Sequence, residues 1–172
     1  SLSRELSEST VGIIGYGQIG KRLQKHLTSH QCKVVIYDPY LNKSTNEELS
    51  NKLVSTLDDL LTQSDAVTLH LPLTNETENF IDHNELNKMK RNSVLLNLSR
   101  GGLVSEDALY ESLISGHLAG AALDVHIDEP RVNNKLIQLQ NVFLSPHIAG
   151  TSNKSSNDLG TSAIQGLLNY IE

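Results

Sequence analysis

The chain has 172 residues, 38% of them hydrophobic, which suffices for the core of one domain without a disulfide or a structural metal. Its 14 Lys and Arg against 20 Asp and Glu give a formal net charge of −6, which argues against nucleic acid or an anionic membrane as partner. No apolar run approaches the length of a membrane span, and the single cysteine, Cys32, cannot form an internal disulfide, so we expect a cytoplasmic protein.

The predicted elements alternate between strand and helix along almost the whole chain. Strands are predicted at 10–15, 33–37, 52–55, 65–71, 93–98, 118–124 and 141–145, and helices at 18–30, 57–63, 83–89, 104–115 and 155–171. Several of these strands are almost continuously apolar or β-branched, which is typical of strands buried on both faces of a parallel sheet. The alternation predicts an α/β fold: a doubly wound, mostly parallel sheet of about seven strands with helices on both faces.

A Gly-x-Gly-x-x-Gly turn joins the first predicted strand to the first predicted helix, at Gly15, Gly17 and Gly20. The first glycine permits a tight turn, the second lets the backbone approach a pyrophosphate, and the third lets helix and strand pack closely. The N–H groups that begin the helix, at Gln18 and Ile19, then face the anion. This turn predicts a dinucleotide site, although a glycine turn alone can also be purely structural.

An acidic residue follows the second strand where dinucleotide-binding domains hold the adenosine ribose. Asp38 lies 18 residues after Gly20, close to the spacing of about 20 residues at which a carboxylate reaches the ribose hydroxyls. Because this carboxylate repels the additional phosphate of NADP, we predict NAD as the cofactor, with Asp38 and the adjacent Pro39 at the ribose.

Polar side chains follow the later predicted strands at the points where these strands end. Because the carboxyl ends of parallel strands share the sheet edge that holds the glycine turn, we expect them to line a common site. The candidates for chemistry are Arg100, Asp124, Glu129 and His147. A lone Arg or His is more often structural, but four such residues at strand ends beside a dinucleotide turn favour a functional site.

Three motifs at these strand ends are specific. They are Asn-Leu-Ser-Arg-Gly-Gly at 97–102, Ala-Leu-Asp-Val at 122–125 with Asp-Glu-Pro at 128–130, and Ser-Pro-His-Ile-Ala-Gly at 145–150. They resemble the cofactor domain of the D-2-hydroxyacid dehydrogenases, such as D-3-phosphoglycerate dehydrogenase. The resemblance implies hydride exchange between NAD and the C2 atom of a D-2-hydroxy acid or 2-keto acid. It also implies that residues 1–172 form the NAD-binding domain alone, without the family's substrate-binding domain, and that this domain forms a homodimer.

The resemblance also implies a role for individual residues. His147 is the acid–base group, Glu129 is its partner, and Arg100 binds the carboxylate and carbonyl of the substrate. Asp124 contacts the nicotinamide carboxamide. The cofactor contacts implied together by the turn, Asp38 and the resemblance are Gly15, Gly17, Gln18, Ile19, Gly20, Asp38, Pro39, His70, Pro72, Thr77, Leu98, Ser99, Arg100, Asp124, His147 and Gly150.

The chain departs from the family pattern at a few positions, and two other function classes stay open. His126 stands where many relatives have an aromatic or other apolar residue. Residues 131–144 lack the proline-rich character of the relatives, which predicts an altered loop near the entrance of the active site. One alternative is a non-enzymatic NAD-responsive module of the corepressor type, which a partner surface outside the cleft would favour. The other is the Rossmann domain of an adenosylhomocysteinase or alanine dehydrogenase, which is not expected to carry the three motifs.

Overall fold

Six parallel strands form one sheet in the computed structural model, which describes residues 5–41, 49–129 and 135–171. The strands are β1 (Thr10–Ile14), β2 (Lys33–Tyr37), β3 (Ala66–Leu69), β4 (Val94–Asn97), β5 (Gly120–Leu123) and β6 (Val142–Leu144). Their order is β2-β1-β3-β4-β5-β6, and every neighbouring pair is parallel. The prediction of a doubly wound parallel sheet is confirmed. Pro130 and residues 131–134, on which part of one motif and of the altered loop fall, lie outside the described residues.

Five helices connect or follow these strands in the described ranges. They are α1 (Gln18–Ser29), α2 (Leu57–Gln63), α3 (His83–Lys88), α4 (Glu106–Ile114) and α5 (Asn153–Ile171). Ser105 caps α4, because its hydroxyl accepts the N–H of Ala108 at 3.4 Å. Thr56 caps α2 in the same way by accepting the N–H of Asp59 at 3.1 Å.

The prediction of a seventh strand at 52–55 is wrong. Leu53 makes a single parallel bridge to Ile36 of β2, supported by hydrogen bonds from Ile36 N–H to the Lys52 carbonyl and from Val54 N–H to the Ile36 carbonyl. A turn precedes Leu53, and Thr56 already caps α2, so the extended segment is too short to form a ladder. The apolar residues of this segment are therefore a correct sign of burial at the edge of the sheet, but they do not form a strand.

Apolar side chains fill both faces of the sheet because successive residues of a strand point to opposite sides. The smaller cluster, which includes Ile13 and Ile36, lies under α1 and contains its Leu27. The larger cluster lies under α2, α3 and α4 and includes Ile14 and Leu95. The chain runs from β1 outward to β2 in one direction and from β3 to β6 in the other. This reversal opens a crevice at the carboxyl ends of β1 and β3, where ligands bind in such sheets.

Helix α5 differs from the other helices because its side chains are exposed along the length for which burial is described. Its apolar residues recur at helical spacing and include Leu159, Ile164, Leu167 and Leu168, which are 51–75% exposed. Within the described residues, no helix is long and apolar enough to cross a membrane.

Candidate functional site

The glycine turn between β1 and α1 leaves open space on one side and is tightly packed on the other. Gly15 has φ +87°, and a Cβ atom there would lie 2.5 Å from the His70 carbonyl oxygen. A Cβ atom at Gly20 would lie 2.5 Å from the Gly15 carbonyl oxygen, whereas one at Gly17 would meet no atom within 4 Å. No side chain caps α1 in the described part of the chain. The free N–H groups and the space at Gly17 together form a cradle that fits a pyrophosphate.

A cleft of about 1030 Å³ begins at this cradle and runs along the carboxyl ends of the strands. Of the residues predicted from the sequence, it is lined by Gly17, Gln18, Ile19, Gly20, His70, Pro72, Leu98, Ser99, Arg100, Asp124, His147 and Gly150. Six further residues line the cleft and were not predicted: Leu23, Thr68, Leu71, Leu96, Ala149 and Thr151. Thr68 and Leu96 stand two residues before His70 and Leu98, so the alternation of side chains along β3 and β4 is the signal that would have found these two.

Asp38 and Pro39 lie beside a separate depression of about 530 Å³ next to the glycine turn. The Asp38 carboxylate accepts the N–H of Tyr16 at 2.9 Å through Oδ2 and the N–H of Tyr40 at 3.0 Å through Oδ1. Each oxygen keeps a further lone pair, so the carboxylate is fixed beside the cradle and can still accept hydroxyl groups.

Thr77 and Glu129 also lie outside the residues that line the main cleft. The Thr77 hydroxyl closes its own turn, because it donates to the Pro72 carbonyl at 2.7 Å and accepts the N–H of Thr74 at 2.8 Å. A role for Thr77 at the cofactor therefore stays a prediction. Glu129 reaches the cleft only through His147.

Arg100 is exposed and stands on a loop that a buried asparagine holds in place. Asn97, at the end of β4, is 2% exposed; its Oδ1 accepts the N–H of Ser99 at 3.1 Å and its Nδ2 donates to the Arg100 carbonyl at 2.9 Å. The Arg100 guanidinium donates to the Ser99 carbonyl at 2.6 Å. A Cβ atom at Gly101 would collide with the His126 carbonyl, so only glycine lets this loop pass so close to the loop after β5. Asn97 belongs to the motif at 97–102, but no role for it was predicted from the sequence.

His147 and Glu129 form a hydrogen-bonded pair at the edge of the cleft. His147 Nδ1 lies 2.8 Å from Glu129 Oε2, and Glu129 Oε1 accepts the N–H of His126 at 3.0 Å. These hydrogen bonds, first that from His147 and then that from His126, lower the pKa of the Glu129 carboxyl. Since a carboxylate only accepts, Nδ1 carries the proton, and Nε2 is the nitrogen left to exchange one in the cleft.

Asp124 is 3% exposed and holds the loop that carries His147. Its Oδ1 accepts the Ser145 hydroxyl at 2.6 Å and the N–H of Ile148 at 2.9 Å, and its Oδ2 accepts the N–H of Ala149 at 2.7 Å. Burial acts to raise the pKa of Asp124, but these hydrogen bonds outweigh it and lower the pKa, so the group is ionised. They also hold His147 at φ +55°, a backbone conformation that is unfavourable for residues other than glycine.

His70 forms an uncharged part of the cleft wall. Burial lowers its pKa, and its Nε2 lies 3.2 Å from the Thr68 hydroxyl oxygen. The neutral ring shapes the cleft without adding charge to it.

Comparison with known proteins identifies the family of this chain. Residues 1–149 match the family described as D-isomer specific 2-hydroxyacid dehydrogenase, NAD binding domain. The chain belongs to this family. The Rossmann domain of an adenosylhomocysteinase or alanine dehydrogenase is thereby set aside, and NAD is confirmed as the cofactor of the domain.

Relatives within the D-2-hydroxyacid dehydrogenase family support this assignment in sequence and in structure. The chain is 38% identical over 157 residues to D-3-phosphoglycerate dehydrogenase of Methanocaldococcus jannaschii, a match that covers 91% of this chain and 30% of that protein. It superposes with a TM-score of 0.91 and 30% identity on a glyoxylate reductase from Paecilomyes thermophila, covering 100% of this chain and 52% of that one. It superposes with a TM-score of 0.86 and 32% identity on D-lactate dehydrogenase from Aquifex aeolicus complexed with NAD and lactic acid, covering 99% of this chain and 55% of that one. The chain thus spans about a third to a half of the length of these dehydrogenases.

Proposed function

We propose that this chain is the cofactor domain, residues 1–172, of an enzyme that transfers a hydride between NAD and the C2 atom of a D-2-hydroxy acid or 2-keto acid. The observation that carries the proposal is the His147–Glu129 pair, with its Nδ1–Oε2 distance of 2.8 Å, at the cleft that the glycine turn and Arg100 also line. A proton-exchanging histidine, a guanidinium and a dinucleotide cradle on one sheet edge are the groups that such a reaction requires.

The cradle of the glycine turn would hold the pyrophosphate of NAD, and Asp38 would accept the ribose hydroxyls. When bound, NAD supplies or accepts the hydride. The proposed contacts to its nicotinamide half come from the cleft wall, which includes His70, Leu98 and Asp124. The carboxylate of Asp124 has a lone pair left for the nicotinamide carboxamide after its three hydrogen bonds to the loop at 145–149.

His147 would move the proton at the substrate oxygen. In keto-acid reduction its imidazolium donates the Nε2 proton to the oxygen on which negative charge grows, and in the reverse direction neutral Nε2 accepts that proton. Glu129 orients the ring through Nδ1–H and balances the charge of the imidazolium. Arg100 would hold the substrate carboxylate and polarise the carbonyl, a task for which the planar guanidinium fork is better suited than an ammonium group.

A screen for activity tests this function. The complete protein is assayed with NADH and a panel of 2-keto acids, and the 172-residue chain is assayed beside it. We expect NADH oxidation by the complete protein, and little or none by the domain alone. The chain spans only about a third to a half of its relatives, and the resemblance implies that the substrate-binding domain is a separate part of the protein. NAD binding without turnover on any keto acid would contradict the proposal and favour an NAD-responsive module of the corepressor type.

The chain is expected to bind NAD at least about tenfold more tightly than NADP, because the Asp38 carboxylate opposes a second negative group at the ribose. Asp38→Asn removes the charge but keeps an acceptor of the same shape, so it should narrow this difference. Calorimetric titration with both cofactors measures it. Asp58→Asn, which loses the same charge from an exposed carboxylate paired with Lys88 at 2.8 Å, is the matched control. Equal affinity for NAD and NADP in the unchanged chain would refute the role of Asp38.

A homodimer through the cofactor domain is the expected assembly. The exposed apolar side chains of α5 support an association of this kind, since they lack cover within the described residues. Light scattering should give a mass approaching twice 18.9 kDa as the concentration rises. Leu167→Glu should lower the dimer fraction, whereas Asn169→Glu, on the same helix but about 200° away from Leu167, should not. A mass that stays at 18.9 kDa would contradict the prediction.

A further inference from the structure

The His147–Glu129 pair is partly exposed to solvent, although catalysis requires it to keep one geometry. The two side chains are 46% and 36% exposed, and an ion pair at such exposure contributes little to its own rigidity. The pair also joins two separate loops, since Glu129 follows β5 and His147 follows β6. Other contacts between these loops must therefore set the distance between the two side chains.

Asp124 supplies some of these contacts through its hydrogen bonds to Ser145, Ile148 and Ala149, and the imidazole of His126 supplies another. His126 is 8% exposed, and its Nε2 lies 3.0 Å from the carbonyl oxygen of Ser145. A carbonyl only accepts, so Nε2 carries a proton and donates it. The backbone N–H of the same residue donates to Glu129 Oε1 at 3.0 Å. His126 thus bonds to one member of the pair directly and to the loop of the other member through Ser145.

Ser145 is the point at which both contacts meet. Its hydroxyl donates to Asp124 Oδ1 at 2.6 Å while its carbonyl accepts from His126. An apolar ring at position 126 could fill the same space, but it would leave this partly buried carbonyl without the imidazole donor. The imidazole of His126 therefore satisfies the Ser145 carbonyl, which an apolar ring of the same size could not do.

We propose that His126 is a positioning residue that sets the geometry of the Glu129–His147 pair by tying the loop after β5 to the Ser145 carbonyl. This inference rests on the proposed function for its effect on catalysis. The predicted effect of His126 on the Glu129 carboxyl does not depend on the proposed function, because the hydrogen bonds that lower the pKa of this carboxyl come from His147 and from the His126 backbone.

The test compares two substitutions that separate the ring from its hydrogen bond. His126→Phe keeps a flat ring without a donor, and His126→Gln places an amide N–H within reach of the Ser145 carbonyl. We expect His126→Phe to lower kcat by about tenfold with little change in the KM for the keto acid. His126→Gln should recover most of the loss. The matched control is His117→Phe, which removes an imidazole whose Nε2 lies 2.9 Å from the Met89 carbonyl, away from the cleft.

The second measurement is the titration of the Glu129 carboxyl by carbon NMR in the 172-residue chain. When the loops separate, Glu129 loses part of the contacts that lower its pKa, so in His126→Phe its midpoint should rise by about 0.5 pH unit. The acidic limb of the kcat/KM profile should move upward by the same amount. Within the described residues, the other titratable groups around His126 are Asp124 on its loop and Glu106, Asp107, Tyr110, Asp128 and Lys135 at the depression it borders. These groups are the same in both variants. The difference between the Glu129 midpoints of His126→Phe and His126→Gln therefore measures the effect of the hydrogen bond to Ser145.

The outcomes separate the two hypotheses. A Glu129 midpoint that His126→Phe leaves unchanged, or that His126→Gln shifts equally, overturns the positioning role whatever the activity. Absence of keto-acid reduction by the unchanged complete protein overturns the proposed function. Even then, a rise of the Glu129 midpoint that occurs only in His126→Phe supports the positioning role of the His126 side chain. If His126→Phe does not fold, a His126→Gln variant that folds with a shifted Glu129 midpoint overturns the role, and one with the unchanged midpoint and rate supports it.

Discussion

Replacement of His147 by alanine in the complete protein is expected to lower the rate of keto-acid reduction by about 100- to 10,000-fold. The side chain removed is the one whose Nδ1 bonds to Glu129 at 2.8 Å and whose Nε2 is left to serve the cleft. Without it, the growing negative charge on the substrate oxygen has no positioned proton donor. Affinity for NAD should change little, because His147 is one of many residues proposed to contact the cofactor and its main role is at the substrate oxygen.

Steady-state kinetics on the best keto acid and calorimetric titration with NAD measure these two effects. His30→Ala is the control, since His30 is an exposed residue at the end of α1 that does not line the cleft. It should leave both quantities unchanged. Near-normal turnover in His147→Ala would show that the acid–base assignment is wrong and would make the NAD-responsive module the better hypothesis. A large loss of NAD affinity would instead show that the main role of His147 is to bind the cofactor.

Substitution of Arg100 by lysine is expected to reduce kcat/KM for the keto acid by about 10- to 150-fold, with a rise in KM and a fall in kcat. The guanidinium is proposed to bind both the carboxylate, in the ground state, and the carbonyl oxygen, which gains charge in the transition state. An ammonium group keeps the charge but cannot make both contacts in one plane. The loss should therefore appear in both kinetic constants.

Arg91→Lys is the matched control because Arg91 precedes β4 and Arg100 follows it, so the two residues stand at opposite ends of one strand. Arg91 is exposed and does not line the cleft, so this exchange should change neither constant. A KM effect without any loss of kcat in Arg100→Lys would limit Arg100 to binding the carboxylate. No effect on either constant would remove it from the site.

The sequence predicted the parts of this site that depend on local pattern. The glycine turn, Asp38 at the end of β2 and the motifs at 97–102 and 145–150 are contiguous segments whose chemistry follows from residue type and spacing. The alternation of apolar strands with helices placed them on one sheet edge, and the cleft at the carboxyl ends of β1 and β3 lies on that edge. The strand prediction at 52–55 was wrong because it counted apolar residues without the cap at Thr56 that begins α2.

Periodicity and chain order are enough to predict the fold class and the residue types that gather at the cleft. They do not predict which groups form hydrogen bonds with one another, because that depends on how the strands and loops pack. Asp124 binds the N–H of Ala149 across 25 residues, and His126 binds the carbonyl of Ser145 across 19. Asn97 holds the loop of Arg100 from inside the sheet, where it is 2% exposed. These hydrogen bonds involve backbone groups that every residue possesses, so the residue types of Ser145 and Ala149 do not predict them. They form only when the strands lie side by side.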